Sequence, residues 1–247
     1  MRALIGVQAR TASTRLRKKI YEFIGTKSVI EHVYQACHDA MVTLMANQRI
    51  YVIPCVAILG PENDQLLKEY CEDREWGFIG GSTGDLYDRY QAGLDAREAD
   101  ALVRVTADCW NLDPRRIIDA ITAIKSFDYA SNTVIRSYPE GQDVQACRKK
   151  AFEWINKSSP KEREHPFMEF DDNAVMREKF ERAGYKWTNL ADYSNPIFEH
   201  NSIDTLEDLG KARAKYEIRF KTMDREKQEG SSTGPDGNKQ QKMVGIR

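Results

Sequence analysis

From its first residues onward the chain alternates between short apolar runs and capped amphipathic stretches, which confines it to an α/β fold with a mostly parallel sheet. Residues 4–7 read as a buried strand. Ser28, with Glu31 three positions on, forms a capping box for a helix that buries Val29, Ile30, Val33, Tyr34 and Cys37. A second apolar stretch, 50–59, is expected to stop at Gly60-Pro61 and give way to a helix carrying Leu66, Leu67 and Tyr70. The order repeats with a strand at Phe78-Ile79 and a helix from near Asp85 that presents Leu86, Tyr90 and Leu94 on one side. Residues 101–106 are almost wholly apolar except for Arg104, the pattern of a central parallel strand covered on both faces. Asp113-Pro114 then opens a helix with Ile117, Ile118, Ile121 and Ile124 facing inward.

After Phe127 the pattern loosens into a short strand at 144–147, helical segments at 149–156 and 162–170, and a strand at 199–203. This half is expected to cover the active face. Thr205 and Asp208 can cap a last helix bearing Leu206, Leu209, Ala212 and Tyr216. From about Asp224, Gly, Ser, Gln, Lys and Asn dominate without any apolar period, so the division expected is a folded domain at 1–222 and a disordered polar tail at 223–247.

With 247 residues, 41% of them hydrophobic, the chain can bury one substantial core. A net charge of -1 provides no global field for nucleic acid or a membrane, so any polyanion must be met by a local patch, and a small-molecule partner is expected. Five cysteines without a CxxC pair argue against a zinc or redox site and fit reduced thiols. No apolar run approaches the roughly 20 residues of a membrane span, and the expected location is the cytoplasm.

The chemistry concentrates at the first strand-to-helix turn, where the chain reads Gln8-Ala9-Arg10-Thr11-Ala12-Ser13-Thr14-Arg15-Leu16-Arg17-Lys18-Lys19. An α/β fold usually holds a phosphate at that turn. Arg10, Arg15, Arg17, Lys18 and Lys19 can together neutralise a triphosphate, although charge alone is accounted for equally well by a solvated basic loop. The loop contains no glycine and matches neither GxxxxGK[ST] nor GxGxxG, which removes the main support for P-loop and nicotinamide readings. Asp108 stands just beyond the apolar strand, at the carboxyl edge of the sheet, and an acid there suits Mg²⁺. Asp204 has the same context. Each also has a plain reading, a helix cap for Asp204 and a turn residue for Asp108. His32 and His38 read as surface or satisfied positions, Cys109 as a buried thiol without a base, and Trp76, Trp154 and Trp187 as packing, while Trp110 fits either packing or stacking.

Taken in order, these segments resemble the cytidylyltransferases that activate acidic sugars, whose first loop is close to QARxGSTRLPGK. Gly81-Ser82 with Asp85-Leu86-Tyr87-Asp88-Arg89-Tyr90 resembles the family's GS..DVLDRY, and Val103-Arg104-Val105-Thr106-Ala107-Asp108-Cys109 its VRITADC. Tyr138-Pro139-Glu140-Gly141-Gln142-Asp143-Val144 resembles FPDGLDVE, Arg163-Glu164-His165 resembles REH, and Asp204-Thr205-Leu206-Glu207-Asp208-Leu209 resembles DTPEDL. The likeness runs over about residues 2–219 and is nearest the spore-coat polysaccharide type, a relative of the acylneuraminate and ketodeoxyoctonate cytidylyltransferases.

The resemblance implies a Rossmann-like nucleotide-diphospho-sugar transferase fold and transfer of CMP from CTP to a sugar acid, with Mg²⁺ as cofactor and a homodimer as a common assembly. By this carry-over Arg10 and Lys19 hold the triphosphate, with Ser13 and Arg15 in support, and Asp108 with Asp204 ligates Mg²⁺. Gln8, Ala9, Asp85, Arg89 and Arg104 fall on the nucleotide side, and Asp143, Arg163 and His165 on the sugar side. The chain departs from the pattern at Ala12 and Lys18, where glycine is usual, at Arg17 for proline, at Trp110-Asn111 for Pro-Leu, and at Gln145 for glutamate. Ala12 would cost about 1 kcal/mol or more if that position needed a positive φ. A different triphosphate, a non-sugar acceptor, or a homologue that binds without catalysing stays open at this level.

Overall fold

The computed structural model describes residues 1–47, 52–158, 163, 167–192 and 201–231. In chain order the elements are β1 (Arg2–Gln8), β2 (Phe23–Ile24), β3 (Lys27–Ser28), α1 (Val29–Ala46), β4 (Ile53–Pro61), α2 (Gln65–Glu72), β5 (Phe78–Gly81), α3 (Leu86–Ala96), β6 (Ala101–Thr106) and α4 (Pro114–Ala123). They continue with β7 (Tyr129–Ser131), β8 (Gln145–Arg148), α5 (Lys149–Ser158), α6 (Met168–Asp172), α7 (Ala174–Arg182), β9 (Trp187–Asn189) and α8 (Leu206–Ser231). Seven strands form one sheet in the order β5-β4-β1-β6-β8-β7-β9, and β2-β3 make a separate small hairpin.

The sheet sorts its side chains by the period of two that a pleated strand imposes. Along β1, Ala3, Ile5 and Val7 enter the core on the side of Ile30, Val33, Cys37, Ile117 and Ile121. Leu4 enters the opposite core with Tyr87, Tyr90, Leu94 and Phe152. In β6, Ala101, Val103 and Val105 share the first core and Leu102 the second. Arg104 therefore follows Leu102 onto the second face, where Gln8 also emerges, and that shared parity brings the two together. A third, smaller core of Ile24, Val29, Trp110, Ile203, Leu209 and Ala212 fastens α8 to the end of the sheet.

Most expected elements form where local signals are strong. Ser28 Oγ accepts from the Glu31 N–H and the Glu31 carboxylate accepts from the Ser28 N–H, the complete capping box. Asp113 caps α4 ahead of Pro114, and Thr205 with Asp208 forms the reciprocal pair before α8. Four expectations change. β4 carries on through Gly60 and Pro61, because both still pair with β5 at Gly80 and Gly81. β6 is parallel only to β1, since β8 lies antiparallel on its other side. Of the strand expected at 199–203, residues 199 and 200 lie outside those described and 201–203 form no strand, as Asn201 donates to the Glu140 carbonyl and Ile203 to the Asp108 carbonyl in single bonds to loops. Leu66 and Leu206 are exposed, each lying off the apolar stripe of its helix. Helix α8 runs through the boundary drawn at 222 as far as Ser231, and residues 232–247 lie outside those described. Among the described residues no helix is long and apolar enough to cross a membrane.

Candidate active site

The basic loop between β1 and the turn at Lys19–Tyr21 walls an open cleft of about 920 Å³, lined by Arg10, Thr11, Ala12, Ser13, Arg17 and Lys18 and closed on the other side by Asn63, Asp64 and Thr83. Asp64, the cap of α2, also pins the loop: its carboxylate accepts from the Thr11 N–H at 2.6 Å and from the Thr11 hydroxyl at 2.7 Å. Tyr21 meets the same hydroxyl at 3.1 Å, and burial pushes its phenol up to about 12. Ala12 is not among the residues with positive φ, whereas Lys18 is, at 56°. The left-handed position thus falls at the second glycine of the resembling pattern and spares the first.

At the end of the loop Lys19 Nζ lies 2.6 Å from Asp108 Oδ2 and 2.8 Å from Asp204 Oδ1. Arg15 makes a further ion pair with Asp204 at 2.9 Å. The two acids, far apart in sequence, converge because the Ile203 N–H binds the Asp108 carbonyl at 3.1 Å, which carries Asp204 alongside. Gly141, at φ 89°, permits this, since a Cβ there would sit 2.6 Å from the Asn201 carbonyl carbon. Burial alone would lower the Lys19 ammonium, but the charges and hydrogen bonds of Asp108 and Asp204 outweigh it and hold the group above its ordinary value. Among the described residues no cluster of three or more His, Cys, Asp or Glu is placed to hold a metal, so a cation here would take two protein carboxylates and draw its remaining oxygens from elsewhere. That donor set fits Mg²⁺, which commonly binds one or two carboxylates together with substrate phosphates.

A second, smaller cavity of about 190 Å³ is lined by Arg104, Thr133, Arg136, Asp143, Gln145 and Asp171, with Phe167, Met168 and Asp172 completing it. Arg104 donates to Gln8 Oε1 at 3.1 Å, to Tyr90 Oη at 3.1 Å and to Gln145 Oε1 at 2.5 Å. Gln145 passes the contact on, its Nε2 donating to Asp171 at 2.5 Å. Asp171 is buried and accepts from Tyr129, Ser131 and Thr133 as well. Asp143 pairs with Arg136 at 2.9 Å, and burial raises its carboxyl above the usual range despite the arginines nearby.

Other sequence-derived site residues serve neighbouring structure. Asp85 caps α3 and forms an ion pair with Arg163 at 2.5 Å, so residues assigned to the base and sugar sides are partners of one another. Arg89 is buried and donates to the Ser82 carbonyl at 2.8 Å and the Thr83 carbonyl at 3.1 Å, shaping that loop from behind. The Ala9 N–H binds the Leu59 carbonyl and the Gln8 carbonyl accepts from Ala107, which occupies both groups in the extension of the sheet. His165 lies outside the described residues. Trp110 is buried in the third core, and burial and Asp108 raise the Cys109 thiol well above its ordinary value, removing it as a nucleophile. Sequence reasoning missed Asp64, Arg136 and Asp171. Asp64 has a helix-cap signal that says nothing of the loop it holds.

The sequence model of one protein family, described as cytidylyltransferase, matches residues 4–134. No curated protein matches the chain. Among solved structures, a cytidylyltransferase from Leptospira borgpetersenii serovar Hardjo-bovis is 20% identical, with a TM-score of 0.67 over 85% of this chain and 84% of that one. CMP:2-keto-3-deoxy-manno-octonic acid synthetase complexed with CTP is 16% identical, with a TM-score of 0.59 over 89% of this chain and 100% of that one. 4-diphosphocytidyl-2C-methyl-D-erythritol synthase from Anaerococcus prevotii is 14% identical, with a TM-score of 0.51 over 87% and 97%. At these identities the likeness is one of fold, the nucleotide-diphospho-sugar transferase fold, with its mainly parallel central sheet.

Proposed function

This chain belongs to the cytidylyltransferase family, and from that premise we propose that it transfers the cytidylyl group of CTP to a hydroxyl of a sugar acid and releases pyrophosphate. The observation that carries the reading is the meeting of Lys19, Arg15, Asp108 and Asp204 at the end of the basic loop. In this reading Arg10, Ser13, Arg15 and Lys19 hold the triphosphate. Asp108 and Asp204 would hold Mg²⁺, which when bound supplies positive charge to the phosphate oxygens.

The acceptor hydroxyl oxygen forms a bond to the α-phosphorus, the bond to the bridging oxygen breaks in line, and pyrophosphate leaves with that electron pair. The hydroxyl proton goes to water. No covalent enzyme intermediate is needed, so the protein contributes positioning and electrostatic stabilisation. The acidic acceptor enters this reading from the resemblance of the motifs; the smaller cavity holds Arg104 and Arg136 beside the carboxyl groups of Asp143, Asp171 and Asp172. The spore-coat polysaccharide type enters this reading from the resemblance of the motifs alone.

Pyrophosphate release measured with CTP, UTP, ATP and GTP against a panel of sugar acids tests the reading. Release that requires CTP, a sugar acid and Mg²⁺, and that Asp108→Asn abolishes, is the result expected. Calorimetric binding of CTP with no release across the whole panel would overturn it.

A further inference from the structure

The two carboxylates assigned to the metal are already satisfied by the chain's own cations. Asp108 and Asp204 share Lys19 Nζ at 2.6 and 2.8 Å, and Arg15 adds its pair to Asp204 at 2.9 Å. Two negative charges thus meet two positive ones, and the pair presents no surplus charge to an incoming cation. This is not a loose surface pairing: the side chains of Lys19, Asp108 and Asp204 are 13%, 25% and 19% exposed. The Lys19 backbone is held as well, in a single helical turn closed by the Tyr21 N–H on the Lys18 carbonyl at 2.9 Å. What can move is the side chain, a point charge on a flexible four-carbon stem.

We propose that Lys19 is an internal counter-ion that makes divalent-cation binding at Asp108 and Asp204 conditional on the nucleotide. A divalent cation arriving alone meets the Lys19 ammonium and the Arg15 guanidinium within hydrogen-bond reach of the oxygens it needs, and like charge opposes it. A triphosphate in the adjoining cleft offers both side chains an anionic partner, so that the carboxylates are released as the phosphates arrive. Linkage makes the effect reciprocal: whatever the nucleotide does to metal affinity, the metal does to nucleotide affinity by the same factor. The nucleotide-free chain accordingly binds a divalent cation only weakly at this pair, and triphosphate and cation strengthen each other's binding. The inference rests on the metal and triphosphate reading above, but it assigns Lys19 a role that phosphate binding alone does not require. If Lys19 were only a tether between the end of β6 and the start of α8, removing it would weaken the fold without changing metal affinity.

The test is Mn²⁺ binding to the full chain without nucleotide, followed by electron paramagnetic resonance and by the shift in Tm. Wild type is expected to bind Mn²⁺ weakly and to show no Tm shift until CTP is added. Lys19→Met, which keeps the stem and removes the charge, is expected to bind Mn²⁺ at least tenfold more tightly without nucleotide, and Lys19→Met/Asp108→Asn to lose that gain. Lys19→Arg retains the charge and the fold and is expected to exclude the metal as wild type does. Wild type that binds Mn²⁺ as tightly as Lys19→Met, with the binding lost in Asp108→Asn, overturns the counter-ion role while leaving the metal assignment standing. Absence of Mn²⁺ binding dependent on Asp108 in every form, CTP present or not, overturns the metal assignment and this inference with it. Should Lys19→Met fail to fold, the Tm of wild type with Mn²⁺ alone decides: a shift without CTP rejects the proposal.

Discussion

Asp64 holds Thr11 by two bonds at once, from the backbone N–H at 2.6 Å and from the hydroxyl at 2.7 Å, and so joins the start of α2 to the basic loop. The same carboxylate caps α2 by accepting from the Leu67 N–H at 3.2 Å. Thr11→Val separates the two duties, because it removes the hydroxyl bond and leaves the cap intact. One hydrogen bond of about 1 kcal/mol corresponds to about a fivefold change in an equilibrium. Thr11→Val is therefore expected to weaken CTP binding about fivefold with little change in Tm, whereas Asp64→Ala lowers both affinity and stability, the cap alone by about 1 kcal/mol. Calorimetry and thermal melts on the two variants check this. Equal affinity in Thr11→Val and wild type would show that the hydroxyl bond to Asp64 does not order the loop for nucleotide.

Lys18 sits at φ 56°, a conformation that costs a side-chain-bearing residue about 1–2 kcal/mol and glycine almost nothing. The greater freedom of glycine in the unfolded chain takes back about half of that gain. Lys18→Gly should thus raise stability by about 0.5 kcal/mol, and Lys18→Val should lower it by more than 1 kcal/mol because branching at Cβ worsens the clash. Urea melts of both variants measure the order, and Lys18→Val matching Lys18→Gly would place the strain elsewhere.

The first half of the fold was legible because its signals are local. Ser28 and Glu31, Asp113 and Pro114, and the apolar run of β6 each announce an element from a few adjacent residues. Beyond Phe127 the strands are three or four residues long and are set by pairing with distant segments, antiparallel between β7 and β8 and parallel between β7 and β9, so Tyr129–Ser131 and Trp187–Asn189 carry too little periodicity to be read. The site divides in the same way. Lys19, Asp108 and Asp204 stand in motifs at the ends of elements. The Asp85 to Arg163 pair spans 78 positions, and the four donors around Asp171 come from two segments, 129–133 and Gln145, which are brought to it only by the fold. Gln145, a departure in the motif, is explained only by the carboxylate it faces.

That pairing gives a third expectation. Gln145→Glu removes the donor to Asp171 and sets a second carboxyl 2.5 Å from it in a buried site where the Asp171 carboxyl already lies above the usual range because of burial. Two carboxylates at hydrogen-bond distance cannot both ionise cheaply, and Arg104, which donates to the Gln145 oxygen at 2.5 Å, offsets only part of that repulsion, so the variant is expected to lose about 1 kcal/mol at pH 8 and less at pH 5, where one of the two takes a proton. Denaturant midpoints at both pH values read the difference, and a loss independent of pH would mean that the site admits water or rearranges.

Gly141 and Gly184 share φ 89° but differ in surroundings. A Cβ at Gly141 would meet the Asn201 carbonyl carbon at 2.6 Å, while nothing lies within 4 Å of one at Gly184. Gly184→Ala is expected to cost about 1 kcal/mol, the backbone term alone. Gly141→Ala adds a clash with the segment that carries Asp204, so it should cost about 2 kcal/mol more and depress turnover by displacing that carboxylate from Lys19. The pair is compared by melts and by pyrophosphate release. Similar stability and turnover in the two variants would deny Gly141 its part in bringing Asp204 to Asp108.

His32 provides the pH dependence of the fold. Its Nε2 lies 2.8 Å from the Ile24 carbonyl and its ring packs edge-on against Trp110 and Tyr216, with centroids 5.9 and 5.8 Å away. Burial lowers its pKa from 6.5, with Lys27 acting in the same direction, and the carbonyl and Glu31 oppose without prevailing. Above pH 6.5 the ring is neutral in both states, and the contribution to stability is fully present. As the pH falls below 6.5 the unfolded chain takes up the proton first, so stability declines until the folded ring also titrates and then levels off. His32→Asn abolishes that part of the slope. Urea midpoints at pH 7.5 and 5.5 should therefore differ more in wild type than in His32→Asn, and equal differences would mean that the ring is protonated as readily in the folded protein as in the open chain.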